Sequence, residues 1–599
     1  MSRKLVVLLD GTGNEIGSNL SNVLKFYTML KQTADQLVYY DPGVGTIGHP
    51  GWWSAFKQQV HGVLGLALGY GLDENVLDAY AWLVRNYRDG DQVYLLGFSR
   101  GAYTARVLAG FMHMCGLLHA DQLNLCGYAL VTYKRAAEKA RREDAKIFRR
   151  LTDARRPVIR FMGVWDTVSA VITPRPDRFY VPGLLTLPYT ARNPSVRVFR
   201  HAIAMDERRR MFRLNHWRPR TEPPGDPEEI ELERRQDVRQ VWFAGVHSDV
   251  GGGYPEEESG LSKFPLLWMI EQVRALGADG LSFDDERVDR LARGIQPEGA
   301  NPNYRYVTPD PKAQIHKSLT GPWWILEGLT KKSKYKEWPR RLSLFWRYFP
   351  GAEPRPVPNR PWQGLPATDP FLVHSSVRFR IAECPEYRPI NLPAQYDVET
   401  VAGPAGPVPE VPSGPYRPES LGRRLKRLFT TMPDRKAWTL LGAAGFALAI
   451  LFAILGGCGG FVAWDPKFTR EIALVVGAGL GLALFEETLF RGVLMPAPSD
   501  GASGLGPAVL SAILFALWHP AQIELCRWLT DGHCLMNWAD IAWSPWFLAA
   551  TFALGLACGK LVDATRSIWP AVALHWLTIL VWATLFGAPL GFASPAGPA

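Results

Sequence analysis

The sequence predicts an α/β domain with a mostly parallel sheet, followed by an all-α, multi-pass transmembrane domain. Three observations predict it. Short apolar runs alternate with helical stretches from residue 3 to about 385, the pattern of a parallel sheet covered on both faces. Charge is unevenly spread: Ala437–Trp464 and Ser567–Ala599 contain no charged residue, and such stretches are long enough to span a bilayer. Between these parts, from about Val401 to Pro418, the chain turns to Pro, Gly and Val, a linker composition with no means of packing a core. The expected division is 1–400, a Pro/Gly-rich and then basic linker over 401–436, and 437–599.

Bulk composition agrees with a mixed chain. At 599 residues it is too long for one core. Hydrophobic residues make up 47% and charged residues 21%, a soluble-looking average that conceals the uneven distribution. The net charge of +10 raises nucleic acid as a partner. Zinc-finger spacing, an aromatic RNA-binding signature and basic repeats are all missing, however, so no nucleic-acid partner is expected. Basic residues lie in short runs such as Arg208-Arg209-Arg210 and Arg423-Arg424, which suits solvated faces and a membrane-flanking patch. Seven scattered cysteines form neither a disulfide framework nor a metal-spaced set and fit a reducing compartment. The N-terminal apolar run, Leu5 to Leu9, is too short for a signal-peptide core and reads as a buried strand.

Four strands follow from the apolar runs: Lys4–Leu9, Gln92–Leu96, Val158–Val164 and Gln240–Ala244, each followed by a loop rich in Gly, Asp or Ser. In parallel sheets functional residues gather at such loops. The first strand leads into Asp10-Gly11-Thr12-Gly13-Asn14, where Gly11 and Thr12 are candidates for an oxyanion-binding N–H. A phosphate cradle is the alternative, but the Walker lysine and the dinucleotide spacing are missing. The second strand leads into Gly97-Phe98-Ser99-Arg100-Gly101 and a helix. This G-x-S-x-G turn lifts a serine hydroxyl into the open, and its glycines let the backbone turn tightly. The N–H of Arg100, at the helix start, is a natural oxyanion donor.

A serine hydroxyl needs a histidine base and an acid to orient that base. In this strand–turn–helix setting the acid is expected before the histidine along the chain. Asp166 stands just beyond the third strand and His247 just beyond the fourth. Asp249 is a rival acid, or an orienting one, ranked below Asp166. His201, His316 and His374 are rival bases.

In the C-terminal part, the basic stretch Arg423, Arg424, Lys426, Arg427, Arg435 and Lys436 precedes the first span, which favours a cytoplasmic N-terminal domain. Ala437–Trp464, Ile541–Gly559 and much of Ser567–Ala599 read as spans, and the shorter runs Ile472–Phe485 and Leu505–Trp518 as further ones, giving five or six in all. Glu486, Glu487 and Arg491 end one apolar run, His519 ends the next and His575 lies inside the last. Ionisable groups at such depth are costly and often functional. Two histidines and a glutamate suit activation of a water, directly or through a metal. The alternative is a helix-end ion pair with two interfacial histidines.

The motifs also carry two resemblances. Leu9-Asp-Gly-Thr-Gly-Asn, Gly97-Phe-Ser-Arg-Gly-Ala, Gly163-Val-Trp-Asp-Thr-Val, His201-Ala-Ile-Ala-Met-Asp-Glu-Arg-Arg-Arg and Gly245-Val-His-Ser-Asp-Val-Gly-Gly-Gly-Tyr resemble the uncharacterised α/β-hydrolase family related to type VI secretion phospholipase effectors. That resemblance implies a serine esterase or phospholipase with Ser99, Asp166 and His247 as its triad. Asp206-Glu-Arg-Arg-Arg is either part of that function or a structural ion-pair network.

Glu486-Glu487-x-x-x-Arg491, Phe515-x-x-x-His519 and His575 resemble the CAAX-protease and bacteriocin-processing family of intramembrane proteases. It implies that Glu486 and His519 activate water, that Glu487 and Arg491 support them, and that His575 binds oxyanion or water. Ile579 stands where that family commonly has Asn or Asp. With no third nitrogen or sulfur ligand at metal spacing, no cofactor is required, a divalent ion at the membrane site being the alternative.

The expected whole is an integral, multi-pass protein of a bacterial inner membrane with its hydrolase domain in the cytoplasm. Its expected partners are a lipid or acyl-ester substrate, membrane lipids and a membrane peptide. Two rival expectations stand beside it: the membrane part is a non-proteolytic anchor or immunity-like module, or the N-terminal domain is a binding scaffold.

Overall fold

The structure, a computed structural model, describes residues 2–11, 19–43, 72–137, 141–168, 172–174, 182–184, 187–210, 212–218, 226–296, 299, 306–320, 323–324, 331–332, 340–344, 347–350, 355, 371–393, 395–410, 421–459, 466, 472–495, 505–529 and 541–586. The chain forms two compact units, Met1–Ser318 with Pro354–Tyr416, and Leu319–Glu353 with Arg417–Ala599.

The first unit is built on one sheet of eight strands: β1 (Lys4–Leu9), β2 (Gln36–Asp41), β3 (Gln92–Phe98), β4 (Ile159–Trp165), β5 (Val196–Ala204), β6 (Asp237–Phe243), β7 (Leu372–His374) and β8 (Asp397–Glu399). Their spatial order is β8-β7-β6-β5-β4-β3-β1-β2, and the pairings are parallel. The helices that position the site are α1 (Asn22–Met29), α2 (Leu72–Asn86), α3 (Ser99–Cys115) and α4 (Lys263–Arg274).

Alternation along β1 explains the layers. Leu5, Val7 and Leu9 pack with Val76, Tyr80 and Leu83 of α2 and Leu108 of α3. Val6 and Leu8 pack on the other side with Phe26 of α1 and Trp268 of α4. A strand covered on both faces reads as a continuous apolar run, which is why β1 was legible in the sequence.

The four expected strands are present, shifted by a few residues: β3 runs on to Phe98, β4 covers Ile159–Trp165 and β6 covers Asp237–Phe243. Four more strands of this sheet were not anticipated. β5 is the instructive one, because Arg200 and His201 interrupt its apolar pattern. Both are buried, with Arg200 bonded to Gln272 Oε1 at 2.5 Å and to Asp237 Oδ2 at 2.6 Å. A paired buried charge looks like surface in a sequence and behaves as core in a fold.

The second unit is largely helical, with α5 (Leu421–Thr430), α6 (Arg435–Gly459), α7 (Ile472–Glu487), α8 (Leu505–Leu529), α9 (Pro545–Thr565) and α10 (Trp569–Leu585). It also carries a three-stranded sheet of short strands between Lys331 and Pro350. Among the described residues α6, α8 and α9 are long and apolar enough to cross a membrane, and α10 is a shorter apolar helix of 17 residues. α8 extends the expected run Leu505–Trp518 to 25 residues, passing through Pro520. α7 continues into a π-helical turn, Thr488–Leu494, closed by the Met495 N–H donating to the Phe490 carbonyl at 2.8 Å.

Within the stretch expected to be linker, α5 packs into this unit. Leu428 is buried in the helical core, and the Arg424 guanidinium donates to the carbonyls of Arg491 at 2.6 Å and Met495 at 3.0 Å. A helix end leaves carbonyls without intrahelical donors, and Arg424 serves two of them.

Candidate active sites

Ser99 opens α3 directly after β3, in the left-handed region at φ 57°. A non-glycine residue is rarely held there, and such strain clusters at functional sites. The flanking glycines are steric necessities. A Cβ on Gly97 would stand 2.6 Å from the Gly101 carbonyl oxygen, and one on Gly101 would meet the carbonyl oxygens of Leu9 and Asp10. β1 therefore packs hard against the elbow. The strand order reverses between β1 and β3, so Ser99 lies at the switch point where open parallel sheets bind ligands. The Arg100 N–H belongs to the first turn of α3 and has no intrahelical acceptor.

His247 begins a short helix, His247–Gly251, after β6. Its Nε2 accepts from Ser99 Oγ at 2.7 Å, and its Nδ1 donates to Asp166 Oδ2 at 2.6 Å. The imidazole lies between the rings of Phe98 and Phe212, at centroid distances of 4.6 and 4.8 Å. Burial pushes the His247 pKa below its usual value, against the pull of Asp166. The neutral, proton-accepting form is thereby favoured.

Asp166 follows β4, itself at positive φ and fully buried. Its Oδ1 also accepts from the Ala204 N–H at 3.0 Å. A residue absent from the sequence reading completes its surroundings. The buried Arg355 guanidinium grips both oxygens, Nη1 to Oδ1 at 2.7 Å and Nη2 to Oδ2 at 2.9 Å. Burial alone would raise the Asp166 pKa, but Arg355 and His247 overcome it and hold the carboxyl well below the usual range. Arg355 is itself pinned, its N–H on the Glu207 carbonyl and its own carbonyl on Asn391 Nδ2, both at 2.8 Å.

Asp206 and Glu207 hold the histidine loop through hydrogen bonds and a Glu207–Arg209 ion pair. Asp206 Oδ2 accepts from the Gly245 N–H at 2.7 Å and from the Tyr387 hydroxyl at 3.0 Å. Glu207 Oε2 accepts from the His247 N–H at 3.1 Å, while Arg209 forks onto both Glu207 oxygens at 2.9 Å.

The second unit gathers its own polar cluster. Glu487 pairs with Arg491 at 3.1 Å, both side chains fully buried. His575 Nδ1 donates to Glu487 Oε1 at 3.0 Å, and its Nε2 stands 3.7 Å from Glu486 Oε2. Glu486 Oε1 receives Trp518 Nε1 at 2.9 Å and Gln522 Nε2 at 3.3 Å, both from α8. His519 Nδ1 donates to the Phe515 carbonyl at 2.9 Å, which makes Nε2 the acceptor nitrogen of the neutral ring. The Phe515 ring meets both histidines edge-on, at 4.9 and 5.3 Å. Trp518 and Gln522 were not anticipated. The turn spacing of α8, which puts 518, 519 and 522 on one side, was the available signal.

Residues 3–272 match the family model described as T6SS, Phospholipase effector Tle1-like, catalytic domain, and residues 468–581 match that of Type II CAAX prenyl endopeptidase Rce1-like. The two matches fall on separate parts of the chain. They are the two resemblances that the motifs carried. An uncharacterized protein of Saccharomyces cerevisiae is 28% identical over 226 residues, which are 35% of this chain and 32% of that relative. The chain thus matches about a third of that relative's length. A solved structure, that of an uncharacterized protein from Pseudomonas aeruginosa, aligns with 18% identity and a TM-score of 0.27, covering 48% of this chain and 47% of the other. The Rce1-like match and the three long apolar helices mark a membrane protein.

In the first unit the rival residues are otherwise engaged. Asp249 accepts the Val246 N–H at 2.9 Å and pairs with His316 Nδ1 at 2.6 Å, and His316 Nε2 pairs with Glu258 at 2.8 Å. His201 is buried and accepts the Thr167 N–H at 3.2 Å. His374 caps the helix Ser375–Glu383. Gly11 gives its N–H to its neighbour Asp10 Oδ1 at 2.7 Å, and Thr12 lies outside the described residues. In the second unit Ile579 stands on α10, where its side chain touches the space beside Gly479.

Proposed function

We propose that the first unit is a serine hydrolase of acyl esters, with Ser99 as nucleophile, His247 as general base and Asp166 as the acid that orients it. The observation that carries this is the continuous hydrogen-bond chain Ser99–His247–Asp166 at 2.7 and 2.6 Å. His247 takes the hydroxyl proton as Ser99 attacks the ester carbonyl, then returns it to the leaving alcohol. In this reading the Arg100 N–H donates to the developing oxyanion. Phospholipids or similar lipids are the proposed substrates, and tethering beside a bilayer raises their effective concentration. A fluorophosphonate probe should label the wild type and spare Ser99→Ala, since only the activated hydroxyl reacts. Equal labelling of both would sink the role of Ser99.

For the second unit we propose a glutamate-dependent intramembrane endopeptidase that acts on a membrane peptide. Glu486 and His519 activate water, while Glu487, Arg491 and His575 hold the site, with no cofactor required. The direct tie of Glu486 to α8, the helix that bears His519, supports it. Glu486→Ala and His519→Ala should each abolish cleavage of a membrane peptide, and unchanged cleavage would leave the unit an anchor. The proposed organisation is a hydrolase domain over 1–400, a linker over 401–436 whose helix α5 packs into the helical unit, and a multi-pass domain over 437–599, in a bacterial inner membrane with the hydrolase in the cytoplasm.

A further inference from the structure

We propose that Arg355 is a positioning residue of the Ser99 site: it holds Asp166 ionised and oriented, and it sets the pH below which His247 stops acting as a base. The proposal rests on the serine-hydrolase reading above. Its starting point is a geometry that a serine–histidine–acid chain does not itself require. Asp166 accepts His247 through Oδ2, yet both of its oxygens are also gripped by one buried guanidinium at 2.7 and 2.9 Å. Arg355 stands 189 residues from Asp166 in the chain and outside residues 3–272, the span that matches the phospholipase-effector family.

Two consequences follow from charge. A carboxylate buried with only a neutral imidazole beside it is costly to ionise, and a bidentate guanidinium removes that cost. The same pairing spreads the negative charge that would otherwise favour an imidazolium at His247. The other charged groups facing His247 are Glu207, which accepts its backbone N–H, and Arg209, which is forked onto Glu207. They act on the imidazole in opposite directions and rank below Asp166, so the Asp166–Arg355 balance decides how readily the imidazole protonates. His247 then stays neutral, and competent to take the Ser99 proton, into mildly acid solution. The fork also fixes the carboxylate plane, so that Oδ2 stays aimed at Nδ1 while Oδ1 keeps the Ala204 N–H. The guanidinium is itself almost wholly buried.

The test is the rate of fluorophosphonate labelling of the full-length chain against pH, for wild type, Arg355→Gln and Arg355→Lys, with thermal unfolding recorded for each. Removing the charge should raise the midpoint of the acidic limb by about one pH unit in Arg355→Gln, because Asp166 then acts on His247 with its whole charge. Arg355→Lys keeps the charge on one oxygen, so its midpoint should fall between the other two. Alkaline rates, where His247 is neutral in all three, should stay within about tenfold of each other. A limb in Arg355→Gln at the wild-type midpoint overturns the proposal, as does a folded variant that labels at no pH. If Arg355→Gln does not fold, Arg355→Lys decides: its limb must lie above that of the wild type, and a limb at or below it overturns the proposal. A wild type that reacts at no pH overturns the serine-hydrolase reading and this proposal with it.

Discussion

Each residue of the Ser99 site has a job that a single substitution can isolate. His247 has its pKa lowered from 6.5 by burial. The acidic limb of activity should therefore lie below pH 6.5, and ester hydrolysis followed from pH 4 to 9 measures it; a limb above that value would contradict the buried, neutral imidazole. Glu207 supports His247 through its backbone rather than its ring. Glu207→Gln keeps the shape and loses the fork to Arg209, so kcat/KM should fall by about tenfold, worth about 1.4 kcal/mol, with KM little changed. A pure rise in KM would place Glu207 in substrate binding instead. Ser99, Asp166 and His247 could be picked from the sequence because each directly follows an apolar run in the order a nucleophile, acid and base require. Arg355 could not, since it sits in no motif and meets Asp166 only through the folding of a distant segment.

At the level of elements, the elbow depends on β1 as much as on α3. Gly101 lies against the Leu9 and Asp10 carbonyls, with no side chain able to move aside. Gly101→Ala must push β1 and α3 apart. We expect destabilisation of about 3 kcal/mol, as for overpacking of a tight core, together with loss of probe labelling. Denaturant unfolding measures the first, and an unchanged midpoint would contradict the close approach. Three of the strands that escaped the sequence reading have a pattern broken by buried polar groups, as at Arg200 and His201 of β5, or are very short, as at β7 and β8. In the helical unit the long apolar helices were readable from composition. The π-helical turn that follows Glu486 and Glu487 was not, because a change from four- to five-residue hydrogen bonding leaves no compositional mark.

Over the whole molecule, two proposed chemistries share one chain. If they are separate, Ser99→Ala should retain full cleavage of a membrane peptide, and Glu486→Ala should retain full fluorophosphonate labelling. Loss of both activities in either variant would show that one site depends on the other. The division into a soluble-type α/β part and an apolar helical part was legible because charge is absent from long stretches of the second. The assignment of α5 was less so: its arginines look like a solvated patch, yet Arg424 is nearly fully buried.

The spacing of the first site also has a meaning in time. The ribosome releases a chain from its N-terminus, and 148 residues separate Ser99 from His247. At roughly 5–20 residues per second, that gap is about 7–30 s of translation. Throughout that interval the nascent chain carries a serine with no base beside it. Arg355 emerges later still, so the proposed centre acquires its pH setting only after most of its own unit has left the ribosome.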